Sequence, residues 1–193
     1  SVKMETRRPV HVRLWDYNDY STAVGTTGRV ARIVAWDKQR DLALLRLDDK
    51  ERIIEHVAHL WPEKVGGPYL FQTVWAIGSG MSSPPYPTQG LLSGISGKDQ
   101  AGRALYLSSS PIIFGNSGGS LWAYSKKRNQ HELIGIPSMA GAYGWGTIVP
   151  HIAWSRPISE IRVFLRENGF AFVVGDKDKP KPEKKEDKEE KED

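Results

Sequence analysis

Residues 112–121 read Ile-Ile-Phe-Gly-Asn-Ser-Gly-Gly-Ser-Leu, and no other stretch limits the possible folds as tightly. An apolar run enters, three glycines frame a serine, and an apolar residue follows. Glycine takes backbone conformations that a side chain forbids. Gly115 therefore permits a strained turn, while Gly118 and Gly119 leave open space beside Ser117. The local reading is a tight turn between two buried segments that projects a hydroxyl close to backbone N–H groups. Acyl transfer asks this of a serine nucleophile. A bare G-x-S-G would equally suit a glycine-rich hairpin loop with an incidental serine; the longer string narrows that choice.

The rest of the chain reads mainly as strands. Pro9 to Trp15 and Arg29 to Trp36 alternate apolar and polar residues at period two, which predicts half-buried strands, the second with Val30, Ile33 or Val34, and Trp36 as core candidates. Asn18, Gly25 and Gly28 mark a turn region between them. Leu42 to Leu47 is apolar at nearly every position, the pattern of a strand covered on both faces. Ile53, Ile54, Val57 and Leu60 fall at helical spacing, with Asp49 as N-cap and Pro62 beyond the end, so a short helix is predicted over 49–60. His56 and His59 on that segment lack a third ligand, and no metal site is assigned to them. Further strands are expected at 71–78, 89–97, 104–107, 120–124, 132–136 and 147–154. Ile158, Ile161, Phe164 and Leu165 form one stripe of a terminal helix closed at Gly169.

Composition excludes some partners. A chain of 193 residues with 39% hydrophobic content can bury a real core. Cysteine is absent, which removes disulfides and Cys-based metal sites. The net charge of +4 is uneven: residues 175–193 carry nine acids and seven lysines and nothing apolar to bury, so they read as a disordered charged tail. The body is mildly basic without a dense Lys/Arg cluster, and nucleic acid is not an expected partner. No apolar run is long enough to span a bilayer, so no membrane role is expected either. A chain that opens on Ser1 without an initiator Met reads as a processed or excised piece.

The string Gly115-Asn116-Ser117-Gly118-Gly119, with Leu121 behind it, resembles the nucleophile loop of chymotrypsin-like serine proteases, especially the HtrA/Deg-type and related trypsin-like peptidases. Asp41-Leu42-Ala43-Leu44-Leu45 resembles the same family's D-[IL]-A-L-L segment, in which an aspartate precedes a buried strand. The two motifs stand in the family's order, 76 residues apart. The resemblance covers about residues 10 to 170 and implies an all-β fold of two antiparallel six-stranded β-barrels, the first incomplete here, with a short C-terminal helix. It divides the chain into a protease domain over 1–174 and the tail at 175–193. Within the domain, the first barrel is expected at about 1–80, the second at about 88–156 and the helix at about 158–168. Ser117 would be the nucleophile and Asp41 the acid that orients the catalytic histidine. The N–H groups of Gly115 and Ser117 would form the oxyanion hole. Pro111, six residues before Ser117, stands where trypsin-like members that favour Arg or Lys carry an acid. With Ile112, Ser138 and Met139 it implies a pocket for a small or medium apolar side chain of a polypeptide substrate, without cofactor or metal.

One residue of the resemblance is missing. The family sets its histidine in a T-x-x-H-V-like turn, and no such segment is present. His11 is the only histidine before Asp41, but it lies inside an alternating strand, and only about four first-barrel strands can be counted. The histidine is therefore expected ahead of Ser1, with His11 as the alternative. The expected function is a serine endopeptidase; a protease-like module that binds extended peptides without hydrolysis is the competing reading.

Overall fold

The computed structural model describes residues 9–19, 22–48 and 56–175. Seven residues of the helix expected over 49–60, and the tail beyond Gly175, lie outside that set.

The alternating segments form strands as their period requires. β1 (Val10–Tyr17), β2 (Ala23–Asp37) and β3 (Leu42–Leu47) make a three-stranded antiparallel sheet in the order β1-β2-β3. The turn between β1 and β2 is tighter than the glycines suggested, since Gly25 and Gly28 both lie within β2 and pair with Asp16 and Arg13. β3 is not covered on both faces: Leu42 is buried, but Leu45 is 42% exposed. It is the last strand of the open sheet among the described residues: Leu42 packs into the shared core, while Ala43 and Leu45 line a hollow that stays open to solvent.

The second lobe is a closed antiparallel barrel. Its strands are β4 (Thr73–Gly78), β5 (Tyr86–Lys98), β6 (Ala104–Ser108), β7 (Ser120–Ser125), β8 (Gln130–Tyr143) and β9 (Thr147–Pro157), in the order β4-β5-β6-β9-β8-β7. Val74 pairs with Gly90 on one side and Ala123 on the other, so β4 closes the ring and leaves no free edge. This corrects the expectation that 71–78 completes the first barrel: that strand belongs to the second, and the passage between lobes falls before Thr73. The fold is thus two antiparallel lobes, a complete six-stranded barrel and a first barrel represented by three strands among the described residues.

Alternation fills the barrel. Val74 and Ala76 point inward from β4, Leu121 and Ala123 from β7, and Leu92, Ile134 and Ala153 join them in one buried cluster. Each large side chain so buried contributes about 1.5–3 kcal/mol. Helix α1 (Ile158–Glu167) follows Pro157 and lays Ile158, Ile161, Phe164 and Leu165 on the same core, as its stripe predicts. Gly169, at φ +81°, follows the helix end and donates its N–H to the Arg166 carbonyl.

The segment 56–60 is not helical. Leu60 forms a parallel bridge with Leu133, and the Leu133 N–H bonds to the His59 carbonyl at 2.8 Å. Pairing with β8 satisfies backbone groups that a helix would have satisfied internally.

Ala35 and Leu42 of the open sheet belong to the same buried cluster as the barrel residues. Arg40, in the β2–β3 turn, reinforces that docking. It binds Asp37 at 2.6 Å within the turn, and Glu160 at 3.4 Å and Glu167 at 2.8 Å on α1.

Candidate active site

The loop between β6 and β7 owes its shape to a buried side chain. Asn116 is 1% exposed; its Oδ1 accepts the Ile113 N–H at 3.0 Å, and its own N–H donates to the Ile113 carbonyl at 3.1 Å. Two such bonds contribute about 0.5–1.5 kcal/mol each and hold Ser117 at the crest of the turn. Gly115 adopts φ +97°, and a Cβ there would lie 2.4 Å from the Ser79 carbonyl oxygen, so no other residue fits. Gly118, at φ +80°, faces open space.

Backbone orientation follows. The Phe114 carbonyl accepts the Met81 N–H at 2.7 Å. Across a trans peptide the carbonyl and the next N–H point to opposite sides, so the Gly115 N–H is directed away from Met81. Among the described residues, neither the Gly115 nor the Ser117 N–H bonds to a protein acceptor.

Asp41 reaches the same place from the other lobe. The turn that carries it is set by Asp37, whose Oδ1 accepts the N–H groups of Gln39 at 2.8 Å and Arg40 at 2.9 Å. Asp41 then takes φ +55° and leads into β3 at Leu42. Its Oδ2 accepts the Ser138 hydroxyl at 2.9 Å, while the Ser138 carbonyl accepts the Ser117 hydroxyl at 3.3 Å. The Gly118 N–H bonds to the Pro137 carbonyl at 2.9 Å. Ser138 on β8 therefore bridges the two residues that the sequence motifs singled out.

Three hollows meet at Ser117. One of about 330 Å³ is walled by Ile112, Phe114, Ser138, Met139, Ala142 and Ile148, and is apolar apart from the two serines at its mouth. A second, of about 600 Å³, lies between the lobes and is lined by Trp36, Asp41, Leu45, Ser117 and Pro137. The third, of about 420 Å³, runs past Ile77 and Pro85. Of the four expected pocket residues, Ile112, Ser138 and Met139 line the first hollow. Pro111 does not, and its carbonyl accepts the Thr88 hydroxyl at 2.7 Å instead.

All five histidines are among the described residues, and none lines these hollows. His11 is on β1 opposite Val30. Asp37 is seven residue steps from Val30, about 23 Å along β2, so the His11 imidazole does not meet Asp41. His56 and His59 are exposed in the loop before Trp61. His131 packs edge-on against Trp75 and Tyr124, and His151 sits 3.3 Å from the Ser109 carbonyl. No group of three or more metal-ligating side chains occurs among the described residues.

Sequence reasoning missed the lock supplied by Asn116, the bridge made by Ser138, and the pocket walls Phe114, Ala142 and Ile148. Only Asn116 and Phe114 carried a signal, the first inside the Gly115–Gly119 string and the second beside it.

No protein-family model matches the chain, and no curated protein matches it. Among solved structures, it is similar to a variant of the HtrA-type protease AlgW solved with a tripeptide, at 19% identity and a TM-score of 0.58, over 82% of this chain and 48% of that one. It is similar to an AlgW variant solved with a decapeptide, at 21% identity and a TM-score of 0.59, over 78% and 42% of the two chains. The protease domain of MamO from Magnetospirillum magneticum, in its apo form, aligns at 21% identity and a TM-score of 0.57, over 80% of this chain and 74% of that one. The chain spans about half the length of the AlgW chains it matches. These likenesses establish the fold, which is that of HtrA-type, trypsin-like protease domains.

Proposed function

We propose that residues 1–174 form a serine endopeptidase domain in which Ser117 is the nucleophile and Asp41 the orienting acid. The observation that carries this reading is the convergence of the two motifs from different lobes through Ser138, with donors of 2.9 and 3.3 Å. In this mechanism Ser117 Oγ bonds to the scissile carbonyl carbon and its proton passes to a base. The Gly115 and Ser117 N–H groups meet the oxyanion, and the proton then goes to the departing amine as the C–N bond breaks. The base is an imidazole that none of the chain's five histidines supplies. The interlobe hollow beside Asp41 and Ser117 has room for one. The apolar hollow would take a small or medium apolar side chain of the polypeptide substrate.

A second reading has its own support: without an imidazole in the site, the chain would grip an extended peptide and leave it intact. Added imidazole separates the two. Losing the histidine of a triad costs on the order of 10⁶ in kcat, so the chain alone should be almost inactive. Millimolar imidazole should restore saturable peptide cleavage that vanishes in Ser117→Ala and weakens in Asp41→Asn. Peptide binding without rescue at any imidazole concentration favours the binding module. Cleavage that survives Ser117→Ala overturns the assignment of the nucleophile.

A further inference from the structure

A broad hollow of about 760 Å³ opens where the β5–β6 hairpin faces β8 and β9, with Lys98, Asp99, Arg103, Trp154 and Arg156 among its walls. Met139 and Ala140 line both this hollow and the apolar pocket beside Ser117, so the two are neighbours along one stretch of β8. That stretch can receive a guest strand. β7 ceases to pair with β8 at Gly135, and beyond Pro137 the strand paired with β8 among the described residues is β9 alone.

The charges in the hollow do not balance. Asp99 Oδ1 accepts the N–H groups of Ala101 at 2.9 Å and Arg103 at 3.0 Å. Its Oδ2 accepts Arg103 Nε at 3.0 Å and Arg156 Nη1 at 2.8 Å. The carboxylate is thereby saturated: it pins two guanidinium groups and neutralises one of three cations. Two positive charges remain, one of them shared by groups held rigidly in place. Arg156 is 4% exposed, and its Nε has no partner among the described residues. Lys98 stands exposed at the rim. Leu105 and Trp154 supply an apolar floor, and the Trp154 ring lies so close to Gly97 that a Cβ there would be 2.9 Å from Cζ3. Cationic walls over an aromatic floor suit a side chain with a methylene stem and a carboxylate tip.

We propose that this hollow is a specificity subsite for an acidic side chain of the peptide laid along β8, within a few residues of the bond at Ser117. The inference rests on the reading that an extended peptide occupies the cleft. Successive side chains of an extended peptide point to opposite faces every 3.3 Å or so, so one position of the peptide faces the hollow.

The test uses the Ser117→Ala chain and a set of fluorescein-labelled apolar peptides in which a single Glu is walked along the sequence, each with its Gln counterpart. Fluorescence anisotropy at low salt should show one position where Glu binds about tenfold more tightly than Gln, the range of a hydrogen bond to a charged group. The preference should shrink to under about twofold in Arg103→Gln and be lost in Lys98→Glu. Lys98→Glu alters only the exposed rim, so it carries the test if Arg103→Gln fails to fold. Equal binding of Glu and Gln peptides at every position overturns the subsite, as does a preference that survives Lys98→Glu. Failure of every peptide to bind overturns the peptide-cleft reading, and the subsite with it.

Discussion

Replacing Gly115 with alanine should disrupt the loop that presents Ser117, whereas the same change at Gly118 should only strain it. A Cβ at Gly115 would lie 2.4 Å from the Ser79 carbonyl oxygen and 3.1 Å from the Met81 nitrogen, and the residue sits at φ +97°. Both colliding atoms are backbone, so no rotamer relieves the clash. Overpacking of this kind costs about 1–3 kcal/mol, and a left-handed backbone adds about 1–2 kcal/mol for an L-residue. The sum is about 2–5 kcal/mol. Gly118 has φ +80° and no heavy atom within 4 Å of an added Cβ, which leaves only the backbone cost of about 1–2 kcal/mol. With a urea m-value of about 2 kcal/mol per molar, the midpoint should fall by about 1–2.5 M for Gly115→Ala and about 0.5–1 M for Gly118→Ala. Tryptophan fluorescence in urea reads the midpoints, and labelling by a fluorophosphonate in the presence of imidazole reads the loop. If the loop yields locally, the Gly115→Ala midpoint moves less but labelling falls, because the Phe114–Gly115 peptide has turned. Equal midpoints together with equal labelling in the two variants would refute the argument that backbone contact at Gly115 sets the shape of this loop.

Other perturbations separate site from scaffold. Fluorophosphonate labelling should disappear in Ser117→Ala and persist in His11→Ala; loss of labelling in the latter would return His11 to the site. The Arg103 backbone N–H above all, with the Arg103 and Arg156 side chains and the Ala101 N–H, holds Asp99 well below the usual carboxylate range, against the opposing effect of desolvation. A pKa lowered by folding gives stability that is complete above the ordinary value of 3.8 and is lost as pH falls below it. Asp99→Asn should therefore flatten the acid limb of a stability–pH curve, and an unchanged limb would count against these contacts. Glu132 is fully buried, and its Oε1 is held by Arg128 Nε at 2.8 Å and Gln130 Nε2 at 3.0 Å. Arg128→Ala strips that carboxylate of its cation and should cost up to about 3 kcal/mol in urea unfolding, while Lys127→Ala beside it should cost almost nothing.

What could be read in the sequence was local. Ser117 and Asp41 announce themselves because glycine and apolar context within a few residues already constrain the backbone, and α1 because its stripe and Gly169 are contiguous signals. Strand partnership is different, since Thr73–Gly78 looks the same whichever barrel it closes and only Gly90 and Ala123 decide the matter. The period around Leu60 was helical in residue type, but backbone bonds to Leu133 drew the chain alongside β8. Leu42–Leu47 carried enough apolar residues for two covered faces, but Ala43 and Leu45 line an open hollow instead of a packed core. The bridge at Ser138 left no trace in the sequence: it joins residues 97 positions apart, and its hydroxyl matters only because Asp41 arrives there.

Arg40 is the residue before Asp41, and its contacts with α1 differ in how far they reach solvent. The Glu160 side chain is 17% exposed and the Glu167 side chain 51%. Mobile ions screen the outer contact readily and the inner one much less. Rising ionic strength should therefore weaken the contact at the end of the helix before the one near its start. Ala35 and Leu42 in the shared buried cluster, and the Asp37 contact within the turn, do not depend on that outer contact.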